Sequence, residues 1–237
     1  MEYVASDQYN PFGLDPPCSR YVAGFGDTSA HFHVIGDNPR VHGGLDSEIP
    51  FTDKPWSERF FSTLERSGLV REFDLETPRV DCSGTFFSYL CLCASPLEPQ
   101  ENTAIRPEDG QPKRKSGPVS DGWRPTEQEY AETEPYFDAE LRAITAHVLL
   151  PVGKRATEHV LETFTTFETG EADHCERHAE ELRGSGWLVV PVKEPSAWTE
   201  TDEEKLVESL TELLDSDYRQ TSDLGRFIPD DRPYFVR

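Results

Sequence analysis

Four short apolar segments, separated by stretches of helical periodicity, constrain the fold of this chain most strongly. They are rich in aromatic and branched residues, as buried strands are, and they cover residues 31–35, 86–92, 147–152 and 187–192. A helical pattern follows each segment, and strands that alternate with helices favour a parallel sheet covered on both faces. The sequence therefore predicts an α/β fold, a three-layer α/β/α sandwich with a short, mostly parallel four-stranded sheet.

Apolar spacing and capping residues mark the first two helices. Apolar residues recur at helical spacing over residues 56–64, and Gly68 is a natural stop. The next helix begins with the capping pattern of Thr126 and Glu129. Pro135 is expected to kink this helix or to end a first short helix there. These signals predict one helix in each of the first two strand connections.

Three more helices are predicted downstream. One follows Gly153, with its apolar residues on one side. A short helix is expected over residues 172–183. The last is expected to begin near Thr201, with Glu204 as its capping residue.

Length and composition bound the organisation of the chain. A chain of 237 residues with 35% hydrophobic content can bury a core, and we expect a single domain over residues 1–237. Residues 95–122 are polar, rich in proline and without apolar period, which predicts a flexible insertion. Its basic cluster, residues 113–115, either contacts phosphates or belongs to a solvated linker. Residues 217–237 are expected to form an irregular tail.

The charge balance is strongly acidic. Acidic residues outnumber basic residues 45 to 23, for a net charge of −22. Such a composition is typical of a halophilic protein that works in molar salt, where exposed charges are screened. In an ordinary cytoplasm it would argue against DNA binding, because phosphate contacts dominate nucleic-acid affinity. In molar salt that electrostatic contribution is weak, so stacking and base contacts would carry binding.

The lack of a recognisable export or membrane segment and the irregular cysteine spacing predict an intracellular protein. The chain has no apolar run long enough for a membrane span, and its N-terminus lacks the pattern of an export signal. We therefore expect a cytoplasmic monomer without membrane contact. The five cysteines are irregularly spaced, and reduced thiols are the expectation.

The loop Gly36-Asp37-Asn38-Pro39 directly follows the first predicted strand. Ligands of open α/β sheets bind beyond the carboxyl ends of the strands, so a functional site is predicted at this loop. An ordinary Asx turn is the alternative interpretation.

An ordered series of stretches around this loop matches the motifs of one family. These stretches are residues 22–27 (Val-Ala-Gly-Phe-Gly-Asp), 30–36 (Ala-His-Phe-His-Val-Ile-Gly), 123–129 (Trp-Arg-Pro-Thr-Glu-Gln-Glu), 148–156 (Val-Leu-Leu-Pro-Val-Gly-Lys-Arg-Ala) and 190–196 (Val-Pro-Val-Lys-Glu-Pro-Ser). Over about residues 18–214 the series resembles the uracil-DNA glycosylase superfamily, most closely its iron–sulfur branch.

The resemblance implies a DNA-repair glycosylase. Such an enzyme flips uracil or another deaminated base out of damaged DNA and hydrolyses its N-glycosidic bond by water attack. A catalytically impaired paralogue that binds DNA or a nucleotide without cleavage is the alternative. Tyr89 and Glu194 favour that alternative, because they replace an Asn and a His of the family.

The resemblance also implies roles for residues of the loop. Asp37 is expected to act as general base or to stabilise a cation, and Asn38 to orient the water through hydrogen bonds. Either one can fill the position that holds the water. Gly36 and Pro39 complete the substrate-binding loop, and His42 could reach the sugar or a phosphate.

Further substrate contacts are expected from outside the loop. Phe51 is the expected stacking platform for the flipped base, with a core phenylalanine as the alternative. Tyr89 stands where the family reads the uracil edge, and a phenol offers only one hydroxyl for that purpose. Glu194 faces the leaving base, where a carboxylate would repel a developing anion but would suit an amino group. Pro195 and Ser196 match the loop that presses on the DNA backbone.

No cofactor or metal is expected. An iron–sulfur cluster needs four cysteines, and here Thr133 replaces one of them while only Cys18 and Cys93 fall near family positions. His174 and His178 have a spacing that can bind a metal, but an exposed acidic helix is the simpler interpretation.

Overall fold

The computed structural model describes residues 16–82, 84–97, 123–166 and 177–225. The strands in these ranges are β1 (Phe25–Gly26), β2 (Phe32–Gly36), β3 (Glu72–Asp74), β4 (Arg79–Asp81), β5 (Thr85–Tyr89), β6 (Val148–Pro151), β7 (Leu182–Arg183) and β8 (Leu188–Val189). The helices are α1 (Pro39–His42), α2 (Ser57–Arg66), α3 (Glu127–Ile144), α4 (Gly153–Phe164), α5 (Glu200–Asp215) and α6 (Tyr218–Gly225).

The main sheet has six strands in the order β1-β5-β2-β6-β8-β7. The four predicted segments form its centre, where β5, β2, β6 and β8 pair in parallel. The expectation of four strands is corrected, because β1 and β7 add antiparallel strands at the two edges and make the sheet mixed. Each edge strand has only two residues, which is too short to give a periodic signal in the sequence.

Helices cover both faces of the sheet, so the α/β prediction is confirmed. On one face, α2 and α5 bury Phe60, Phe61 and Leu210 against β2, β5 and β6. On the other face, α3 and α4 bury Phe137 and Val160 against the same strands. All five residues of β2 are buried, which explains why the strand is mostly apolar and does not alternate between apolar and polar residues. Each large apolar side chain buried in this way contributes roughly 1.5–3 kcal/mol.

Three predicted helices are confirmed as α2, α3 and α4. Thr126 caps α3 together with Glu129 in a capping box, as expected. Pro135 does not end the helix, so that part of the expectation is wrong. Beyond it, Phe137 and Leu141 pack against the sheet, and this burial outweighs the one backbone hydrogen bond that a proline removes. None of the described helices is long and apolar enough to cross a membrane.

Other predicted boundaries are corrected. The last long helix is capped by Thr199 and Asp202, not by Thr201 and Glu204. The Asp202 carboxylate also accepts a hydrogen bond from Lys193 Nζ at 3.0 Å, a tertiary contact that favours the upstream capping box. In the predicted short helix, residues 172–176 lie outside the described residues, and its end forms β7.

The polar insertion and the tail are described only in part. Residues 98–122 lie outside the described residues, so the insertion predicted at 95–122 stays a prediction. The tail was expected to be irregular from residue 217, yet α6 begins at Tyr218. Its ring packs at 5.2 Å between centroids against Phe32, and this contact gives the segment an apolar face to fold on. Residues 226–237 lie outside the described residues.

Cys18 and Cys93 form a disulfide, which corrects the expectation of reduced thiols. The two cysteines are 75 residues apart in sequence, so spacing gave no signal for the pairing. Antiparallel bridges between residues 18 and 97 and between residues 21 and 93 bring the two segments side by side. Cys82 and Cys91 are free and buried, and Cys175 lies outside the described residues.

Candidate active site

A cleft of about 410 Å³ opens at the carboxyl ends of β2, β6 and β8. After β2, the chain adds β5 on one side of β2 and then β6 on the other side, so the direction in which parallel strands are added reverses at β2. In α/β sheets, such a reversal leaves a crevice in which a ligand can bind. The cleft is lined by Asp37, Asn38, Val41, His42, Arg124, Pro125, Tyr130, Val152, Gly153, Lys154, Arg155, Glu158 and Glu194.

The loop after β2 begins with a glycine that the packing requires. A Cβ atom on Gly36 would lie 2.7 Å from the Tyr89 ring and 2.9 Å from His42 Nδ1. Asn38 is fully buried and caps α1, because its Oδ1 accepts hydrogen bonds from the backbone N–H groups of Arg40 and Val41 at 3.0 and 3.2 Å. Pro39 is buried at the first helical position, where its missing N–H costs nothing.

Tyr130 of α3 contacts both candidate residues of the loop. Its hydroxyl donates a short hydrogen bond to Asp37 Oδ1, and it accepts one from Asn38 Nδ2 at 3.2 Å. Burial and the neighbouring Asp37 carboxylate raise the pKa of the Tyr130 phenol, so the phenol keeps its proton. The guanidinium of Arg155 lies over the Tyr130 ring, 3.6 Å from its centroid.

His42 links the loop to the segment after β8. Its Nδ1 accepts a hydrogen bond from the backbone N–H of Asp37 at 2.9 Å, and its Nε2 lies 3.1 Å from Glu194 Oε2. Because Nδ1 is an acceptor, Nε2 carries the proton and donates to the carboxylate. His42 and Glu194 thus form a hydrogen-bonded pair at the edge of the cleft.

Phe51 and Tyr89 lie behind the cleft, in the core. Phe51 is fully buried, and the His42 ring stacks on it at 5.4 Å between centroids. The face of Phe51 that was expected to carry a base is therefore covered by His42, which lines the cleft. The Tyr89 hydroxyl accepts a hydrogen bond from the Phe51 backbone N–H at 2.8 Å and donates one to the Gly43 carbonyl at 3.0 Å. Tyr89 holds these two loops together, and neither Phe51 nor Tyr89 is part of the cleft lining.

The segment after β8 brings Glu194 to the cleft and turns directly afterwards. Pro195 is buried in a short 3-10 helix, and Ser196 is exposed. Opposite Glu194, Gly153 begins α4 with a φ angle of +78°. A Cβ atom on Gly153 would lie 2.7 Å from Glu194 Oε2, so the carboxylate would have to shift to make room for it.

The cleft is lined by three cations and by three carboxylates, those of Asp37, Glu158 and Glu194, although the chain as a whole carries −22. Arg124, Lys154 and Arg155 are part of its lining. Lys54 lies close enough to Arg124 and Glu194 to interact with both, and its ammonium donates a hydrogen bond to the Arg40 carbonyl at 2.7 Å. Burial, followed by the charge of Arg124, lowers the pKa of Lys54.

The cysteines of the site do not fit an iron–sulfur cluster, which needs four thiolate ligands. Cys18, Cys91 and Cys93 pack together, but the first and the last are joined in the disulfide. Thr133, which stands where the resemblance implies a further cysteine, has a hydroxyl that donates a hydrogen bond to the Glu129 carbonyl at 2.9 Å. Among the described residues, no group of three or more acidic, histidine or cysteine side chains is arranged to hold a metal ion.

Sequence reasoning missed several residues of the cleft, and Tyr130 and Arg155 are two of them. It assigned no role to Tyr130, although the hydroxyl of this residue donates a hydrogen bond to the Asp37 carboxylate. It assigned no role to Arg155, although the pair of adjacent cations at residues 154 and 155 follows β6 directly, and the end of a parallel strand is the expected place for ligand contacts.

The fold and the cleft together define an α/β protein with a ligand-sized polar cleft at the carboxyl edge of a mostly parallel sheet. The family model of the Uracil DNA glycosylase superfamily matches residues 23–215, and the chain belongs to this superfamily. Membership of the superfamily suggests that the protein is a DNA glycosylase. No curated protein matches the chain.

Proposed function

We propose that this protein is a DNA-repair glycosylase that hydrolyses the N-glycosidic bond of uracil or another deaminated base. The observation that carries the proposal is the placement of Asp37 in a cleft that is lined by three cationic side chains at the edge of the sheet. A flipped nucleotide would place its phosphates against the cations and its sugar beside the carboxylate.

Asp37 is the better candidate for positioning the water. The side-chain oxygen of Asn38 accepts two backbone hydrogen bonds, and its amide donates to Tyr130. Asn38 is therefore occupied in capping α1, whereas Asp37 uses one carboxylate oxygen for Tyr130 and keeps the other. In the proposed step the water oxygen attacks C1′, the electron pair of the glycosidic bond leaves with the base, and the water proton passes to Asp37.

The leaving base would be stabilised by positive charge from α4. The first turn of this helix lines the cleft, so its N-terminal N–H groups and Lys154 face a departing anion. Glu194 works against this stabilisation, because its carboxylate is an acceptor on the same wall. A base that presents an amino group would relieve the conflict by donating to Glu194.

We also propose that the reaction needs neither an iron–sulfur cluster nor a metal ion, since the chemistry above uses only side chains, backbone N–H groups and water. The proposed partner is DNA that contains a damaged base, bound by a monomer. The acidic surface fits work at high salt, where base contacts in the cleft would outweigh phosphate contacts.

The test is a glycosylase assay in molar KCl. Single- and double-stranded oligonucleotides carry uracil, hypoxanthine or xanthine, and the wild-type protein is compared with Asp37→Ala and Asn38→Ala. We expect Asp37→Ala to lower the rate by roughly 10²–10⁴-fold. Asn38→Ala should mainly cost stability, about 1 kcal/mol for a lost helix cap. Release of no base from any substrate would overturn the glycosylase proposal.

A second candidate function is binding of DNA or a nucleotide without cleavage. The covered face of Phe51 and the Glu194 carboxylate favour it, because the first removes a stacking platform and the second opposes a leaving anion. Tight binding of the same oligonucleotides in the absence of base release would support this function.

A further inference from the structure

The Tyr130 hydroxyl lies between the two loop residues that could hold the water. It donates to Asp37 Oδ1 and accepts from Asn38 Nδ2 at 3.2 Å, so both side chains have a fixed orientation. One phenol thus restrains the only two side chains of the loop that carry a carboxylate or an amide.

The tyrosine ring is itself held in place from two directions. Arg155 covers one face at 3.6 Å from the centroid, and Arg155 Nη2 donates a hydrogen bond to Glu127 Oε2 at 2.6 Å. The capping box of Thr126 and Glu129 determines where α3 begins, one turn before Tyr130. A ring that is stacked by a cation and carried by a capped helix presents its hydroxyl in one place.

These contacts leave the two carboxylate oxygens of Asp37 unequal. Oδ1 accepts from Tyr130, and none of the described residues donates a hydrogen bond to Oδ2. Asn38 has its oxygen committed to the α1 cap.

We propose that Tyr130 is a positioning residue, which holds Asp37 so that Oδ2 takes the proton of the attacking water and holds Asn38 out of the reaction. This inference rests on the proposed glycosylase function. Tyr130 exchanges no proton in the step: it keeps its own, and the water proton goes to Asp37 as the bond between water oxygen and C1′ forms.

The experiment compares Tyr130→Phe with Tyr218→Phe. The control removes the phenol of Tyr218, a buried residue at the opposite end of β2 that packs against His31 and Phe32. With wild-type protein and the best substrate found, Tyr130→Phe should lower kcat roughly tenfold to a hundredfold and leave KM within about twofold, because a loosened carboxylate loses orientation and not substrate affinity. Tyr218→Phe should leave both constants unchanged.

A second readout does not depend on activity. The hydrogen bond from Tyr130 to Asp37 should give a slowly exchanging, downfield hydroxyl proton in the NMR spectrum. We expect this signal to disappear in Tyr130→Phe and in Asp37→Ala and to persist in Tyr218→Phe. Its survival in either of the first two variants, or a wild-type kcat in Tyr130→Phe, would overturn the positioning role. A wild-type protein that releases no base overturns the glycosylase function instead, and the NMR comparison still decides whether Tyr130 holds Asp37.

Discussion

His42 donates a hydrogen bond from Nε2 to the carboxylate of Glu194 at 3.1 Å, across 152 residues of sequence. The contact fixes the imidazole tautomer, because Nδ1 of the same ring accepts from the Asp37 backbone. It also holds a negative charge at the wall of the cleft, where the proposed reaction would release a base anion. The consequences of this pair can be tested directly.

Glu194→Gln should accelerate release of bases that present carbonyl groups, such as uracil and hypoxanthine. The amide keeps an oxygen for His42 but removes the charge that repels the departing anion, and we expect a gain of roughly tenfold or more. Base-release rates for each oligonucleotide are the measurement. Glu204→Gln, an exposed carboxylate on α5, is the matched control. Equal rates and the same base preference in both variants would show that Glu194 does not face the base.

Gly153→Ala should disturb the cleft through its new Cβ atom, which would lie 2.7 Å from Glu194 Oε2 and 3.4 Å from His42 Nε2. Gly84→Ala provides a matched control, since its φ of +84° imposes a similar backbone strain while its Cβ atom would meet nothing within 4 Å. Each variant should lose about 1–3 kcal/mol of unfolding free energy from that strain.

Only Gly153→Ala should also change the base-release rate. Denaturant unfolding and the glycosylase assay separate the two effects. If both variants kept the same activity, the close approach of Gly153 to Glu194 would have no functional consequence.

Glu140→Gln should stabilise the protein at alkaline pH. The carboxyl group of Glu140 lies between α3 and the sheet, accepts a hydrogen bond from the Gly24 backbone at 3.1 Å, and has its pKa raised to about 8 by burial. Below pH 4.5 the carboxyl is protonated in both states and carries no penalty. Between pH 4.5 and 8 only the unfolded chain loses the proton, so the free energy of unfolding falls as pH rises and levels off above 8.

The Glu140→Gln variant should not show this decline in the free energy of unfolding, which is on the order of a few kcal/mol in the wild type. Burial lowers the pKa of His33 to about 3, so that group costs stability only as pH falls below 6.5, the ordinary pKa of a histidine. Unfolding is therefore best compared at pH 6.5 and pH 9, with Glu132→Gln on the exposed side of α3 as control. Parallel pH profiles for wild type and Glu140→Gln would contradict the assignment.

The disulfide should stabilise the protein by closing a long loop. Its cysteines are separated by 75 residues, and loss of a cross-link of that span costs about 2–4 kcal/mol. Denaturant unfolding of a Cys18→Ser/Cys93→Ser double variant should show this loss, and a reductant should produce it in the wild type. The same reductant should not destabilise the double variant further. A wild type that is insensitive to the reductant, with all its thiols free, would show that the bond does not form.

Much of the sheet could be predicted from local sequence. Buried parallel strands need apolar residues on both faces, so β2, β5, β6 and β8 are visible as mostly apolar segments. The capping box at Thr126 is equally local, because its hydrogen bonds join residues three apart. The loop from Gly36 to Pro39 could be predicted as a functional site because it comes at the end of β2. In parallel sheets, ligands bind beyond the carboxyl ends of the strands, so the position of the loop at the cleft needed no further information.

Tertiary structure alone decided which side chains meet in that cleft. Tyr130 contacts the loop across 92 residues of sequence, and Glu194 contacts His42 across 152 residues. The connections between the strands bring these residues together, and no local sequence pattern indicates which residues will meet. The same holds for Phe51, whose aromatic character suits either a stacking platform or a core position, and whose burial under His42 is a matter of packing. Local sequence specifies hydrogen bonds and periodicity within one element. Contacts between elements depend on how all of them pack at once, and here those contacts determine the charge and the geometry around Asp37.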